Sequence, residues 1–229
     1  MAKMTAKQIS KSSFQRLPIY LEYLRALLAR DEKAAYISAT AISNALGLGE
    51  VQVRKDLSSI STLGKPKIGY NIAKLSHQLE KFLGYSNVNE AVLVGAGKLG
   101  KALLNYRGFA QYGLRIIAAF DADKNSIGKT QEGKFIYPIA DFGKFVKKTG
   151  VKMGIITVPA ESAQAVCDMM IENKICAIWN FANVSLKSPK DILIHSENMA
   201  VSLAVLSNHL SRQLNTVNKR RKTWTESMK

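Results

Sequence analysis

Cysteine and histidine are scarce, two and three among 229 residues, which leaves little for disulfide or zinc-type metal chemistry. Cys167 and Cys176 lie in or beside apolar segments with no CxxC or Cys/His spacing, which excludes a zinc module and reads as two buried, reduced thiols. His77, His195 and His209 show no neighbouring acid, ligand spacing or nucleophile motif, so neither a catalytic residue nor a metal site is expected. Long hydrophobic runs are missing as well. No segment approaches transmembrane length, and the polar, basic first residues have no signal-peptide core, so a cytoplasmic protein without membrane contact is expected. Acidic side chains are scarce: 17 Asp and Glu face 33 Lys and Arg, a net charge of +16. The excess sits at the ends, with 13 basic against 6 acidic residues in 1–85, 14 against 10 in 86–210, and 6 against 1 in 211–229. A basic terminal domain beside a nearly balanced one calls for a polyanionic partner. Nucleic acid fits better than membrane, because no lysine-rich amphipathic stripe with aromatic anchors is present.

The most informative stretch is AVLVGAGKLG, residues 91–100, an apolar run that breaks into Gly95, Gly97 and Gly100. It spells a strand, a tight turn and a helix start. Gly95 permits the turn, Gly97 lets a pyrophosphate approach the backbone, and Gly100 lets the helix pack on the strand, so that the helix N–H groups face the phosphates. Three glycines alone are a weak signal, but a second apolar run, LRIIAAFDAD, ends in Asp121 at about the distance a dinucleotide fingerprint requires. That carboxylate suits a ribose 2′-OH and would repel a 2′-phosphate, which favours NAD(H) over NADP(H). Lys98 is a mild counterweight. Thr157-Val158-Pro159-Ala160 follows another apolar strand, at the end where an open α/β sheet binds its ligand, and Asn180 and Phe181 follow the next one.

Residues 1–12 read as a loosely ordered arm. A helix from about Ser13 carries Leu17, Leu21, Leu24 and Leu28, with Pro18 in an early turn; a second starts at Ser38; Gly47-Leu48-Gly49 ends it; a third runs from about Glu50 to Ile60. This is a helix-turn-helix. The third helix buries Val53, Leu57 and Ile60 and turns Gln52, Arg54, Lys55 and Ser58 outward, with Asp56 placed to orient Arg54. LGKPKIGYNI then reads as a wing-like ribbon, with Pro66 and Gly64 or Gly69 in the turns and Lys65 and Lys67 exposed. Arg54 is the candidate for guanine readout, Lys55, Lys65 and Lys67 for phosphate. Strands and helices alternate from Asn89, which predicts a parallel sheet with crossover helices. A last helix over about 197–214 is too apolar for a lone surface element, and KRRKTW beyond it reads as a disordered tail.

With these pieces placed, the chain resembles the Rex family of redox-sensing transcriptional repressors over nearly all of residues 13–214. The matching stretches are QVRKDLS, the GY of the ribbon, VGAGKLGKALLNYRGF, AAFDAD, TVPAE and NFANVSL. The resemblance implies an α/β fold: a winged-helix DNA-binding domain (1–84), a Rossmann-type NAD(H) domain (85–195), a dimerisation helix exchanged between subunits (196–215) and a basic tail (216–229). It implies a homodimer on double-stranded DNA at an inverted-repeat operator, released when NADH replaces NAD⁺. Carried onto this sequence, the cofactor-binding residues are Gly95, Ala96, Gly97, Lys98, Leu99, Gly100, Tyr106, Asp121, Val158, Pro159, Ala160, Asn180 and Phe181. Departures from the family pattern fall in three places. Ile60, Ser61, Leu63 and Lys67 replace an aromatic and glycines around the wing, and Lys98 replaces a common Asn. Asn198 stands where the family commonly carries an acid early in the last helix, and Arg16 is the arginine of the first helix with which that acid can pair. Two other readings stay open: a redox-blind DNA-binding paralogue, and an NAD-dependent oxidoreductase with a basic accessory domain.

Overall fold

The computed structural model describes residues 9–30, 35–61, 64, 65, 67–130 and 132–226, with side chains to 214. The chain forms two compact units. One comprises the residues up to Val88 together with Gly108–Leu114, the other Asn89–Arg107 and everything from Arg115 onward.

The first unit is helical. Helix α1 (Lys11–Arg30) starts earlier than the sequence suggests, because the Ser10 hydroxyl accepts from the Ser13 N–H and so caps it. Pro18 therefore sits well inside the helix. Helix α2 (Ala39–Leu46) is capped by Ser38, whose hydroxyl accepts from Ala41 N–H at 3.0 Å, and ends at Gly47 in the left-handed conformation. Helix α3 (Glu50–Ile60) follows at once. Leu17, Tyr20, Leu21 and Leu24 of α1, Ile42 of α2 and Val53 and Leu57 of α3 share one core with Leu75 and Leu79 of α4 (Ile72–Phe82). Strand β1 (Tyr36–Ile37) pairs antiparallel with β2 (Tyr70–Asn71), and Lys65 and Gly69 exchange two backbone hydrogen bonds at 2.9 Å just before it. These make the expected ribbon. Pro66 and Leu63, assigned above to its turn and to a departure from the family, lie outside the described residues. Gly108–Leu114 completes this unit. Tyr112 donates its hydroxyl hydrogen to Glu22 at 2.6 Å and meets the Tyr85 ring edge-on, while Arg25 reaches the Gln111 carbonyl at 3.2 Å.

The second unit begins with β3 (Asn89–Val94) and α5 (Lys98–Asn105). A 3-10 turn over Arg107–Tyr112 follows α5. Then come β4 (Leu114–Asp121), the short β5 (Gly128–Lys129), β6 (Phe135–Pro138), α6 (Phe142–Thr149), β7 (Met153–Ile156), α7 (Ala160–Glu172), β8 (Ala177–Asn180), β9 (Leu193–Ser196) and α8 (Met199–Glu226). The sheet runs β5-β6-β4-β3-β7-β8-β9. Pairs β3/β7, β4/β6, β7/β8 and β8/β9 are parallel, and the β5/β6 edge pair is antiparallel. Phe120 anchors the core, its ring edge-on to Phe142 and Phe145. Cys167 is buried as expected, but Cys176 is exposed, since it precedes β8 rather than pointing into the sheet.

Helix α8 corrects the expected disordered tail: it continues past Leu214 to Glu226. No glycine or proline interrupts it, and Lys219, Arg220, Arg221 and Lys222 are good helix formers. None of the helices described is long and apolar enough to cross a membrane.

Candidate nucleotide and nucleic-acid sites

The strand order reverses between β3 and β7, so their carboxyl ends open a crevice of the kind in which open α/β sheets bind ligands. Two loops meet there. Gly95, at φ 103°, lies so near the β7 loop that a Cβ would come within 2.8 Å of Thr157 backbone, and a Cβ on Gly100 would lie 1.8 Å from the Gly95 carbonyl oxygen. Thr157 fastens them: its hydroxyl donates to Gly95 O at 2.7 Å. Gly97, the N-cap of α5, is different. A Cβ there would meet nothing within 4 Å, and its φ of −67° is open to any residue. The fold itself does not require glycine at this position. Next to it is a cavity of about 310 Å³, lined by Gly95, Gly97, Asp121, Thr157, Val158 and Pro159 among others. The first N–H groups of α5 have no intrahelical acceptor and offer an anion site at its rim.

Asp121 is placed as the sequence predicts, at the end of β4 and in the cavity wall. Its Oδ2 accepts from Ala96 N–H at 2.5 Å and its Oδ1 from Asp123 N–H at 2.8 Å. A carboxylate has about four acceptor directions, so two remain for ribose hydroxyls. Lys98 and Leu99 are exposed on the first turn of α5, Tyr106 closes the helix, half-exposed, and Ala160 opens α7. Asn180 lies in the core. It is fully buried, its amide donates to Val184 O and Ser196 Oγ and accepts from Ala182 N–H, and it does not line the cavity. A polar side chain sealed in a core keeps its place only when bonded on all sides, and here it ties β8 to β9 and the loop between. Phe181 packs on Trp179 at 4.8 Å, likewise away from the cavity lining. Ile139, Ser162 and Val166, which do line it, come from loops and helices with no motif to announce them.

The outward face of α3 carries Gln52, Arg54, Lys55 and Ser58, all exposed. Arg54, Lys65 and Lys67 gather around a cleft of about 380 Å³ that also takes in Ser38 at the amino end of α2. Asp56 does not orient Arg54, as the sequence suggested. Arg54 pairs with Glu50 one turn away, and Asp56 points inward, where Arg16 bonds it through Nε at 2.7 Å and Nη2 at 3.0 Å, Tyr20 donates to it at 2.7 Å and Gln52 at 3.1 Å. Burial pushes the Asp56 carboxyl up, but the bonds from Arg16, Tyr20, Ser13 and Gln52 outweigh it and hold the group at about 2. Burial, with the bond to Asp56, pushes the Tyr20 hydroxyl up to about 12. Arg16 is thus spoken for by α3, while Asn198 caps α8 by accepting from Val201 N–H at 3.2 Å. His195, read as having no acidic neighbour, stands 3.4 Å from Glu197, with both side chains on the surface.

Two family models match the chain: one described as "CoA binding domain" over residues 87–184, and one described as "Putative DNA-binding protein N-terminus" over 8–58. The fold and its two sites define a class, a transcriptional regulator in which a winged-helix unit and a nucleotide-binding sheet share one chain. The redox-sensing transcriptional repressor Rex of Bacteroides fragilis is 37% identical over 204 residues, spanning 89% of this chain and 92% of that one, and that of Treponema denticola 39% identical over 194 residues, spanning 85% and 91%. The chain belongs to the Rex family of redox-sensing transcriptional repressors. Among solved structures, the Rex-family repressor RSP in complex with β-NAD⁺ and operator DNA superposes with a TM-score of 0.83 at 29% identity, covering 93% of this chain and 97% of that one. RSP with β-NADH gives 0.81 at 28% identity, covering 92% and 98%.

Proposed function

We propose that this protein represses transcription from an inverted-repeat operator and lets go when NADH replaces NAD⁺. The observation that carries the reading is Gly97: an open glycine that its own fold does not need, at the mouth of a cavity walled by Asp121. A pyrophosphate approaching that backbone supplies the missing reason. Val158, Pro159 and Thr157 would flank the dinucleotide, Asp121 would accept from a ribose and disfavour a 2′-phosphate, and Lys98, Leu99, Tyr106 and Ala160 would border it. The helical unit supplies the DNA contacts, with Arg54 and Gln52 at base edges and Lys55, Ser58, Lys65 and Lys67 at phosphates. RSP, which has been solved with both nucleotides and with operator DNA, supports assigning both ligands to this chain.

The operator reading needs two heads. Helix α8 leaves Met199, Leu203, Leu206, Leu210 and Leu214 exposed at spacings of four, three, four and four, one apolar stripe of a helix that pairs with another. We infer that the occupant is a second copy of the chain, which gives a twofold dimer and two α3 helices for the two half-sites. Residues 1–84 would form the DNA-binding domain, 85–195 the nucleotide domain and 196–215 the dimerisation segment. The nucleotide would be read rather than consumed, a reading supported by relatives that are named transcriptional repressors.

Fluorescence anisotropy on labelled inverted-repeat DNA, at fixed salt with NAD⁺ and then NADH titrated in, tests the proposal. Release by NADH alone is the expected result. For NADH to release DNA it must bind the DNA-incompetent dimer more tightly than the competent one. Asn198 favours a second reading: with no acid at this position, the chain would be a repressor that binds DNA whichever nucleotide is present. DNA binding unmoved by both nucleotides would select it.

A further inference from the structure

We propose that Val51 reads a thymine methyl group in the major groove, a specificity role that rests on the DNA-binding reading above. Val51 is 83% exposed, the most exposed large apolar side chain described. A single exposed valine is ordinary on a protein surface. Its position is not. It is the second residue of α3, and in a helix-turn-helix the first residues of the second helix meet the base edges. At about 100° per residue, Val51 projects opposite the buried stripe of Val53, Asp56, Leu57 and Ile60, flanked on the same outward face by Lys55 and Ser58.

Its neighbours are held in fixed orientations. Arg54 pairs with Glu50, Gln52 donates to Asp56, and the Ser58 hydroxyl donates to the Lys55 carbonyl. Polar groups held this way present fixed acceptors and charges around an apolar centre. In the major groove only one group is apolar, the C5 methyl of thymine, so a branched aliphatic side chain at the middle of the reading face has one complement. Valine also has a lower helix propensity than alanine, so its presence at an exposed helical position is not explained by the stability of α3.

The test uses the full-length protein and its inverted-repeat operator, measured by anisotropy at fixed salt. Each thymine of a half-site, with its symmetry mate, is replaced by deoxyuridine, which removes the methyl and leaves every hydrogen-bonding group. The wild type is expected to lose about fourfold in affinity per half-site at one position, the worth of one buried methyl-sized group. Val51→Ala is expected to bind more weakly on thymine DNA by a similar factor and to be indifferent to deoxyuridine at that same position. Because alanine favours the helix, circular dichroism of the variant should be unchanged, which separates a weakened DNA interface from a damaged helix. A Val51→Ala protein that keeps the wild-type response at every position overturns the proposal, as does a wild type sensitive at none. Failure of the wild type to bind any DNA would overturn the DNA-binding reading itself and is visible before a single substitution is made.

Discussion

A methyl group added at Gly97 would meet nothing within 4 Å, whereas one added at Gly100 would lie 1.8 Å from the Gly95 carbonyl oxygen. The two substitutions should therefore fail in different ways. Gly97→Ala is expected to melt at the wild-type temperature and to bind NADH at least about tenfold more weakly, by isothermal titration, because the side chain intrudes only on the ligand. Gly100→Ala should unfold the β3–α5 junction, seen as a lowered melting temperature before any nucleotide is added. Asp56 gives a pH signature. Its carboxyl is held at about 2 in the fold against an ordinary 3.8, so its contribution is complete above about pH 4 and is lost as the pH falls through about 2. Asp56→Ala, which strands Arg16 and Tyr20, should cost about 3 kcal/mol in urea unfolding at pH 7 and flatten the acid limb of the stability profile. The sequence made Asp121 and the three glycines legible because their spacing is local. It could not show that Asp56 pairs with Arg16, 40 positions away, since a charge on a helix names no partner until the fold brings one.

Elements followed their periodicity where a core enforced it. The stripe of α1, the Ser38 cap of α2, the inward set of α3 and the β3–α5 turn were all readable, since each is written in apolar spacing or a capping residue. Edges were harder. Strand β9 is four residues long and α8 runs to Glu226, and neither end carries a strong signal, because edge strands need little hydrophobic pattern and a basic run is as compatible with helix as with disorder. The wing offers a test of its own. Lys67 holds φ at 64°, a conformation that costs a non-glycine residue about 1 kcal/mol. Lys67→Gly should raise the stability of the helical unit by roughly that amount while weakening DNA binding, with the slope of log K against log salt falling by about one for each phosphate no longer neutralised. A variant with unchanged salt slope would remove Lys67 from the phosphate-binding set.

At the scale of the whole molecule, the proposed pairing of α8 with a second copy would decide how many heads meet the DNA. Leu206→Glu combined with Leu210→Glu puts two charges on the exposed seam. Light scattering should show the particle mass falling from twice the chain mass to the chain mass, with operator affinity dropping by at least about a hundredfold as the second head is lost. The two-unit plan was visible in the charge distribution and in the change of pattern near Asn89. The path of the chain between the units was not, because Gly108–Leu114 is attached by tertiary packing that no local pattern encodes. That path bears on how the protein is made. The helical unit includes Tyr112, which binds Glu22, so when the first 88 residues have left the ribosome their seat for Tyr112 is still empty. It fills only after β3 and α5 have been synthesised. The DNA-reading half of the molecule thus reaches its finished form only once the glycine-rich loop of the other half exists, and a gene fragment ending at the apparent linker would encode a domain with a piece missing.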